Sequence, residues 1–308
     1  MNQNARLATL AAIVGNTIFG FSFMFSRIAL GVASPFVLLM YRFLIAFVML
    51  NLVALWSRRR AAAPRAGSAD WLRFEVRGRR VGPLLRMGLI QPVGYFLCES
   101  YGIRFTNSTF AGVIIALGPV VALAAAALTL GEIPRRSQTA FSVLSILGVI
   151  LMTLQQRSEG TIRPLGVLLL FCAVLAGTSF NIVSRRLSGE FSALERTYVM
   201  MLVAAATFTA LALIECRGDF ARLIAPLSSP DFLLAIVYLG VASSIVAFLA
   251  LNYAFGYLTV AKSMAFCNLT TVISLFAGVV FLHEPISLVS LAASLMILLG
   301  IWGVQRAK

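Results

Sequence analysis

Apolar runs of about 20 residues recur along the whole chain, separated by short polar breaks, and each is long enough to cross a bilayer as a helix. Ten spans are expected, at about 7–30, 35–56, 84–105, 108–130, 137–155, 164–187, 192–214, 231–254, 259–281 and 287–304. Pro or Gly marks several breaks: Gly31 to Pro35, Gly82-Pro83, Gly131 to Pro134, Pro164, Pro230 and Pro285. Backbone groups find no partner in lipid, so each span should be an α-helix. The expected fold class is an all-α integral membrane protein.

The pattern occurs twice. Tyr101, Glu132 and Gly148 align with Tyr253, Glu284 and Gly300 at a spacing of 152. Gly20-Phe21-Ser22-Phe23 matches Gly177-Thr178-Ser179-Phe180 at 157, and a long basic loop in the first half accounts for the drift. Residues 1–156 and 157–308 then form two repeats of five spans each. Five is odd, so the second copy enters the membrane upside down relative to the first. Inverted repeats of this kind meet around a substrate path in many secondary transporters.

Composition agrees: 60% of residues are hydrophobic and 12% charged, with mean hydropathy +0.94. A net charge of +14 would suggest nucleic acid in a soluble protein. Here the arginines cluster in loops, so the charge reads as a topology signal and no nucleic-acid partner is expected. With the N-terminus inside, 18 of the 25 cationic residues fall on the inner side. They include Arg6, nine arginines between Arg58 and Arg86, Arg185, Arg186, Arg196 and Lys262. Six fall outside: Arg27, Arg104, Arg157, Arg163, Arg217 and Arg222. Both termini are therefore expected in the cytoplasm of a bacterium, with the chain in the inner (plasma) membrane. The loop 57–83, with eight arginines, Trp71 and Phe74, reads as an anchor on anionic lipid head groups.

Cys98, Cys172, Cys216 and Cys267 have no CxxC spacing, so neither a disulfide framework nor a metal site is expected. His283 beside Glu284 makes no metal site, and no phosphate-binding glycine-lysine loop is present. No cofactor is expected.

Further motifs follow one another in order. Gly20-x-Ser22-Phe23 lies in span 1, and Pro35 and Tyr41-Arg42-Phe43 lie in span 2. Gly118-Pro119 and Leu130-Gly131-Glu132 lie in span 4, and Leu282-His283-Glu284-Pro285 ends span 9. Together they resemble the drug/metabolite transporter superfamily, in its ten-helix EamA-type branch. The resemblance implies export or exchange of small metabolites, often amino acids, through a cavity lined mainly by spans 1, 3, 4, 6, 8 and 9. The chain departs from that pattern with Phe19 where Trp is frequent, Thr271 where Pro is frequent, and His283 where Gly is usual.

Glu99 and Arg42 are ionisable groups inside spans, which is costly and functional by default. Both lie roughly 10 Å below the outer surface at 1.5 Å per residue, so they are placed to pair across adjacent helices. In transport, Glu99 would take a cationic substrate group or a coupling proton, and Arg42 would engage a substrate carboxylate or tune Glu99; the competing role is a permanent ion pair holding spans 2 and 3 together. Among the in-span polar residues, Asn16, Gln91, Asn181, Asn252 and Asn268 are the best cavity candidates, with interhelical hydrogen bonding the competing role. Tyr95 is mid-span and suits a ligand; Tyr101 and Tyr253, at span ends, suit interfacial anchors. Glu132 and Glu284 are expected as helix-end and gate-loop contacts, and Lys262 as a snorkelling side chain. Small-residue rows such as Gly118, Ala122 and Ala126 suit tight packing within the chain, and a homodimer contact second.

The expected function is secondary active efflux of an amino acid or related amphiphilic zwitterion by alternating access, not enzymatic catalysis. The alternatives are a membrane-embedded enzyme, for which the paired catalytic groups are missing, and a channel-like or structural subunit.

Overall fold

The computed structural model describes residues 3–61, 81–115, 117–118, 120–121, 135–158, 162–258, 266–284 and 287–306. Glu132, Lys262, Ala122, Ala126, Pro119 and loop residues 62–80 lie outside the described residues, as does the side chain of Asn268. Among the described residues, ten helical segments carry the fold. They are α1 (Gln3–Leu30), α2 (Pro35–Ala61), α3 (82–105), α4 (Ser108–Ile115), α5 (Arg136–Ser158), α6 (Pro164–Leu187), α7 (Ala193–Cys216), α8 (Pro230–Tyr257), α9 (Cys267–Phe281) and α10 (Leu288–Arg306). A short helical stretch, 221–228, links α7 to α8. Helices α1, α2, α6, α7 and α8 are each long and apolar enough to span a membrane. The fold is all-α, two inverted repeats of five helices.

Local sequence sets the helix ends. Ser192 and Glu195 form a reciprocal capping box at the start of α7. Ser229 caps α8 ahead of Pro230, and Pro164 opens α6 at a position where no N–H is needed.

Helix α3 is not continuous, contrary to the single span expected over 84–105. Its middle, Leu89–Gly94, is a π-helical segment in which Gln91 has φ −145° and ψ 121°. Pro92 is the cause: proline excludes the helical region for the residue before it and removes one ladder donor. Helix α8 carries its own π segment over Tyr238–Ala247. Shifted by the repeat spacing, the α3 segment falls inside the α8 segment. The two halves therefore interrupt their third helix at the same level, near mid-span.

Contacts sort the helix ends into two sets. At what we term the far end, Arg27 Nη1 donates to Ile103 O at 3.1 Å. Nearby, Arg163 N donates to Phe105 O at 3.0 Å and Tyr41 Oη to Leu223 O at 2.9 Å. The Ser34 hydroxyl meets Glu215, and Gln155 meets Ser287. At the near end, Arg185 Nη1 donates to Phe255 O at 2.6 Å and Gly256 O at 2.7 Å. Ile103 and Phe255 are repeat equivalents, so each half uses an arginine of its first helix to cap the C-terminal carbonyls of its third. A cation there complements both the free carbonyls and the helix dipole.

Helices α5 and α10 cross through the repeat glycines. A Cβ on Gly148 would lie 2.8 Å from Ala293 O and from Ile297 Cγ1. One on Gly300 would lie 2.6 Å from Phe141 O. The Ser145 hydroxyl donates to Ile297 O across the same crossing, at 3.3 Å. The glycines that mark the repeat in sequence thus sit on either side of one helix–helix contact, where the two halves meet symmetrically.

Candidate functional site

A central cavity of about 100 Å³ lies between the halves. Its wall comes from α1, α3, α4, α6, α8 and α9, three helices from each repeat. The π break in α3 exposes Gln91 to it; Tyr95 and Phe96 follow one turn on and Glu99 two turns on. Phe19, Phe23, Phe180 and Phe248 line its apolar side. Phe248 is the hub, with Phe19 at 5.1 Å and Phe180 and Phe96 each at 6.1 Å between ring centroids.

Among the described residues, Glu99 is the one charged side chain of the wall. Its relative exposure is 5%. The Tyr95 hydroxyl donates to Glu99 Oε1 at 3.0 Å. Glu99 Oε2 has no protein donor among the described residues. Asn16 also lines the cavity but is engaged: its amide donates to Ala12 O at 2.7 Å, and its Oδ1 accepts from Thr270 at 3.0 Å. Gln91 and Asn181 line the wall with amides that have no partner among the described residues.

Arg42 and Asn252 lie elsewhere. Arg42 does not form the ion pair that its depth suggested. Its Nε donates to Ser244 Oγ at 2.9 Å and its Nη2 to Ser243 Oγ at 2.8 Å. Its guanidinium carbon sits 4.0 Å from the Phe96 ring centroid, a cation–π contact that places it outside the cavity wall. Gly240 lets α8 come this close to α2, since a Cβ there would lie 2.8 Å from Ile45 and 3.1 Å from Arg42 O. Depth matched Arg42 to Glu99, but the direction a side chain takes around its helix decided the partner.

Asn252 is fully buried in a separate cluster around Arg196. Arg196 Nη2 donates to Asn252 O at 2.6 Å, and Nη1 to Ser184 O at 2.8 Å and Ser184 Oγ at 2.7 Å. Asn252 Nδ2 donates to Thr197 Oγ1 at 2.9 Å. Arg196 is 2% exposed, so it is a structural tie among α6, α7 and α8 and not one of the loop cations.

Thr178 is a further wall residue, one that the sequence marks only as part of the repeat motif. It lines the cavity, it is 5% exposed, and its hydroxyl has no partner among the described residues. Next to it, Gly177 leaves room for the site: a Cβ would stand 3.3 Å from Tyr95 Cε2 and 4.0 Å from Gln91 Oε1. Gly177→Ala should therefore push Tyr95 off Glu99. The expected result is a several-fold loss of transport, about 1 kcal/mol for one weakened hydrogen bond, with an unchanged melting temperature. A wild-type transport rate would contradict this placement.

At the far end, Glu284 joins the repeats. Its Oε1 accepts from Ser108 N at 2.9 Å and Ser108 Oγ at 2.7 Å, and its Oε2 from Thr109 N at 2.9 Å. Asn107 Oδ1 takes the next donor, Phe110 N, at 2.7 Å. A carboxylate from the second repeat thus fills the N-terminus of α4 in the first, where orphan amides and the helix dipole favour an anion. His283 has φ 51°, a left-handed conformation that glycine adopts freely and histidine tolerates. An open hollow of about 490 Å³ adjoins this contact, walled by Arg27, Thr106, His283 and Glu284 among others. It shares no lining residue with the central cavity.

The profile of the EamA-like transporter family matches residues 6–154 and, again, 164–306. The chain is 32% identical over 299 residues to the uncharacterized transporter YcxC of Bacillus subtilis (strain 168), covering 96% of this chain and 92% of that protein. It is 22% identical over 292 residues to an uncharacterized transporter of Archaeoglobus fulgidus, covering 95% and 96% of the two. One crystal structure superposes with a TM-score of 0.61 over 98% of this chain and 99% of that one, at 18% identity, a likeness of fold alone.

Proposed function

The chain belongs to the EamA-like transporter family, and on that premise we propose that it carries a small metabolite outward across a bacterial plasma membrane by alternating access. The observation that carries this reading is the central cavity, walled by three helices from each inverted repeat. Rocking one half against the other opens such a cavity to one side as it closes to the other. The Glu284–Ser108 tie spans the two halves at one end and supports a conformation with that end shut. In this reading both chain ends face the cytoplasm, and the far end faces outward. The repeats divide near residue 156. A substrate drives the exchange only through different affinities for the two states.

Metabolite profiling of a deletion strain and its complement would find the compound retained when the protein is missing. Counterflow of that compound in proteoliposomes should then saturate. Flux that rises linearly with concentration and shows no counterflow would identify a channel and overturn the reading. Reporter fusions placing residues 1 and 308 on opposite faces would overturn the topology.

A further inference from the structure

We infer that the central cavity selects a compact primary amine in its protonated form and rejects the matching carboxylate and zwitterion. The inference rests on the transporter reading and names its substrate class. The zwitterion expected from the sequence needed Arg42 to hold a carboxylate. That guanidinium is instead occupied by Ser243, Ser244 and the Phe96 ring, outside the wall. The described wall then offers no cationic donor: Arg42 acts on it only as a charge behind the Phe96 ring, so a carboxylate entering leaves water with no N–H of Arg42 to receive it and with the Glu99 carboxylate beside it.

An ammonium group meets the opposite situation. It carries three N–H donors. The wall presents Glu99 Oε2, the unpartnered Thr178 hydroxyl, and the amides of Gln91 and Asn181. Glu99, Thr178 and Gln91 are buried and Asn181 half-buried; each is or can act as an acceptor, and none of these atoms has a donor among the described residues. A ligand with N–H groups satisfies them; a quaternary ammonium has no hydrogen to give. The surrounding phenylalanine faces favour a cation and receive its hydrocarbon part. Size sets the scale. The cavity is about 100 Å³, below the dry cavity of about 150 Å³ that takes up benzene, so the ligand must be compact, and a six-heavy-atom alkylamine enters only as the wall widens.

Three probes that share one carbon skeleton test the inference: 3-methylbutylamine, leucine and 4-methylpentanoate. Leucine is the amine with a carboxylate added, and 4-methylpentanoate has the carboxylate alone. Binding to the purified protein is read by thermal shift and calorimetry, which avoids leakage of neutral amine through vesicles. The amine should bind at least ~10-fold more tightly than leucine, the consequence of one uncompensated charge, and 4-methylpentanoate should not bind. Tetramethylammonium should bind more weakly than the amine. Glu99→Gln should weaken amine binding by at least ~10-fold. Thr178→Val, which keeps the side-chain shape, should weaken it by roughly 3- to 10-fold and serves if the first variant does not fold. The inference is overturned by leucine or 4-methylpentanoate binding as tightly as the amine, or by undiminished amine binding in a folded variant. It is equally overturned if the amine produces no shift up to about 10 mM, a concentration that would reveal even millimolar affinity. None of these results touches the transporter reading, which stands or falls on counterflow of the profiled metabolite.

Discussion

Gly300→Leu should destabilise the protein strongly, because a leucine at that position has nowhere to go. The Cβ alone would meet Phe141 O at 2.6 Å and Ser145 N at 2.8 Å. Both are backbone atoms of α5 and cannot rotate aside. Forcing extra methylenes into a packed site costs typically 1–3 kcal/mol, and more when backbone must shift. Helix association in lipid depends on such close approach, with no hydrophobic drive to compensate. The apparent melting temperature of purified protein should fall by roughly 5–10 °C, with a matching loss of monodisperse protein on size exclusion. Gly148→Leu should act alike, against Ala293 O and Ile297. The double variant should cost less than the sum, since one leucine already parts the helices. Gly189→Ala, whose Cβ would meet nothing within 4 Å, is the control. If Gly300→Leu melts with the parent protein, the crossing is not where the halves are fastened.

Much of this architecture was legible in the sequence because it follows from length, hydropathy and spacing. A bilayer needs helices of a fixed length, and a repeat spaced by 152 residues brings equivalent glycines to one crossing. Features that depend on the direction of a side chain were not legible in that way. Arg196 lies four residues into its span, where position along the chain groups it with the loop cations. Its burial depends on Ser184 and Asn252, which two other helices supply. Arg42 was matched to Glu99 by depth, while its serine partners lie on α8. The break at Gln91 had a readable signal in Pro92, since a residue before proline is driven out of the helical region; the smooth hydropathy of the span hid it. Thr178 looked like one more position of the repeat motif. Its significance arises only where α6 faces the cavity with no neighbour for its hydroxyl.

The tie at the far end leads to the second large effect. Glu284→Ala should shift the protein toward a conformation open at that end. The carboxylate accepts two backbone N–H groups and one hydroxyl from Ser108 and Thr109. Hydrogen bonds to a charged group contribute about 1.5–3 kcal/mol each, and removal leaves two amides at the start of α4 without an acceptor. If opening exposes those amides to water, the variant loses stability only in the closed state. A net bias of about 2 kcal/mol moves the equilibrium roughly 30-fold. Ser22, on the cavity wall, is a suitable reporter because, among the described residues, its hydroxyl bonds only within its own helix, to Ile18 O at 2.9 Å. Ser22→Cys, in a background with Cys98, Cys172, Cys216 and Cys267 replaced, should react slowly with a charged thiol reagent applied at the far end. Adding Glu284→Ala should speed that reaction by at least ~10-fold. Glu284→Gln, which retains one acceptor oxygen, should fall between the two. Ser108→Ala removes only the hydroxyl and should change little. A Glu284→Ala protein that folds, yet whose cysteine reacts at the parental rate, would show that the carboxylate merely caps a helix. The barrier between the outer hollow and the cavity would then have to lie in the packing of α1, α4 and α9, where Gly20 meets Ile273 and Gly112 meets Ser274.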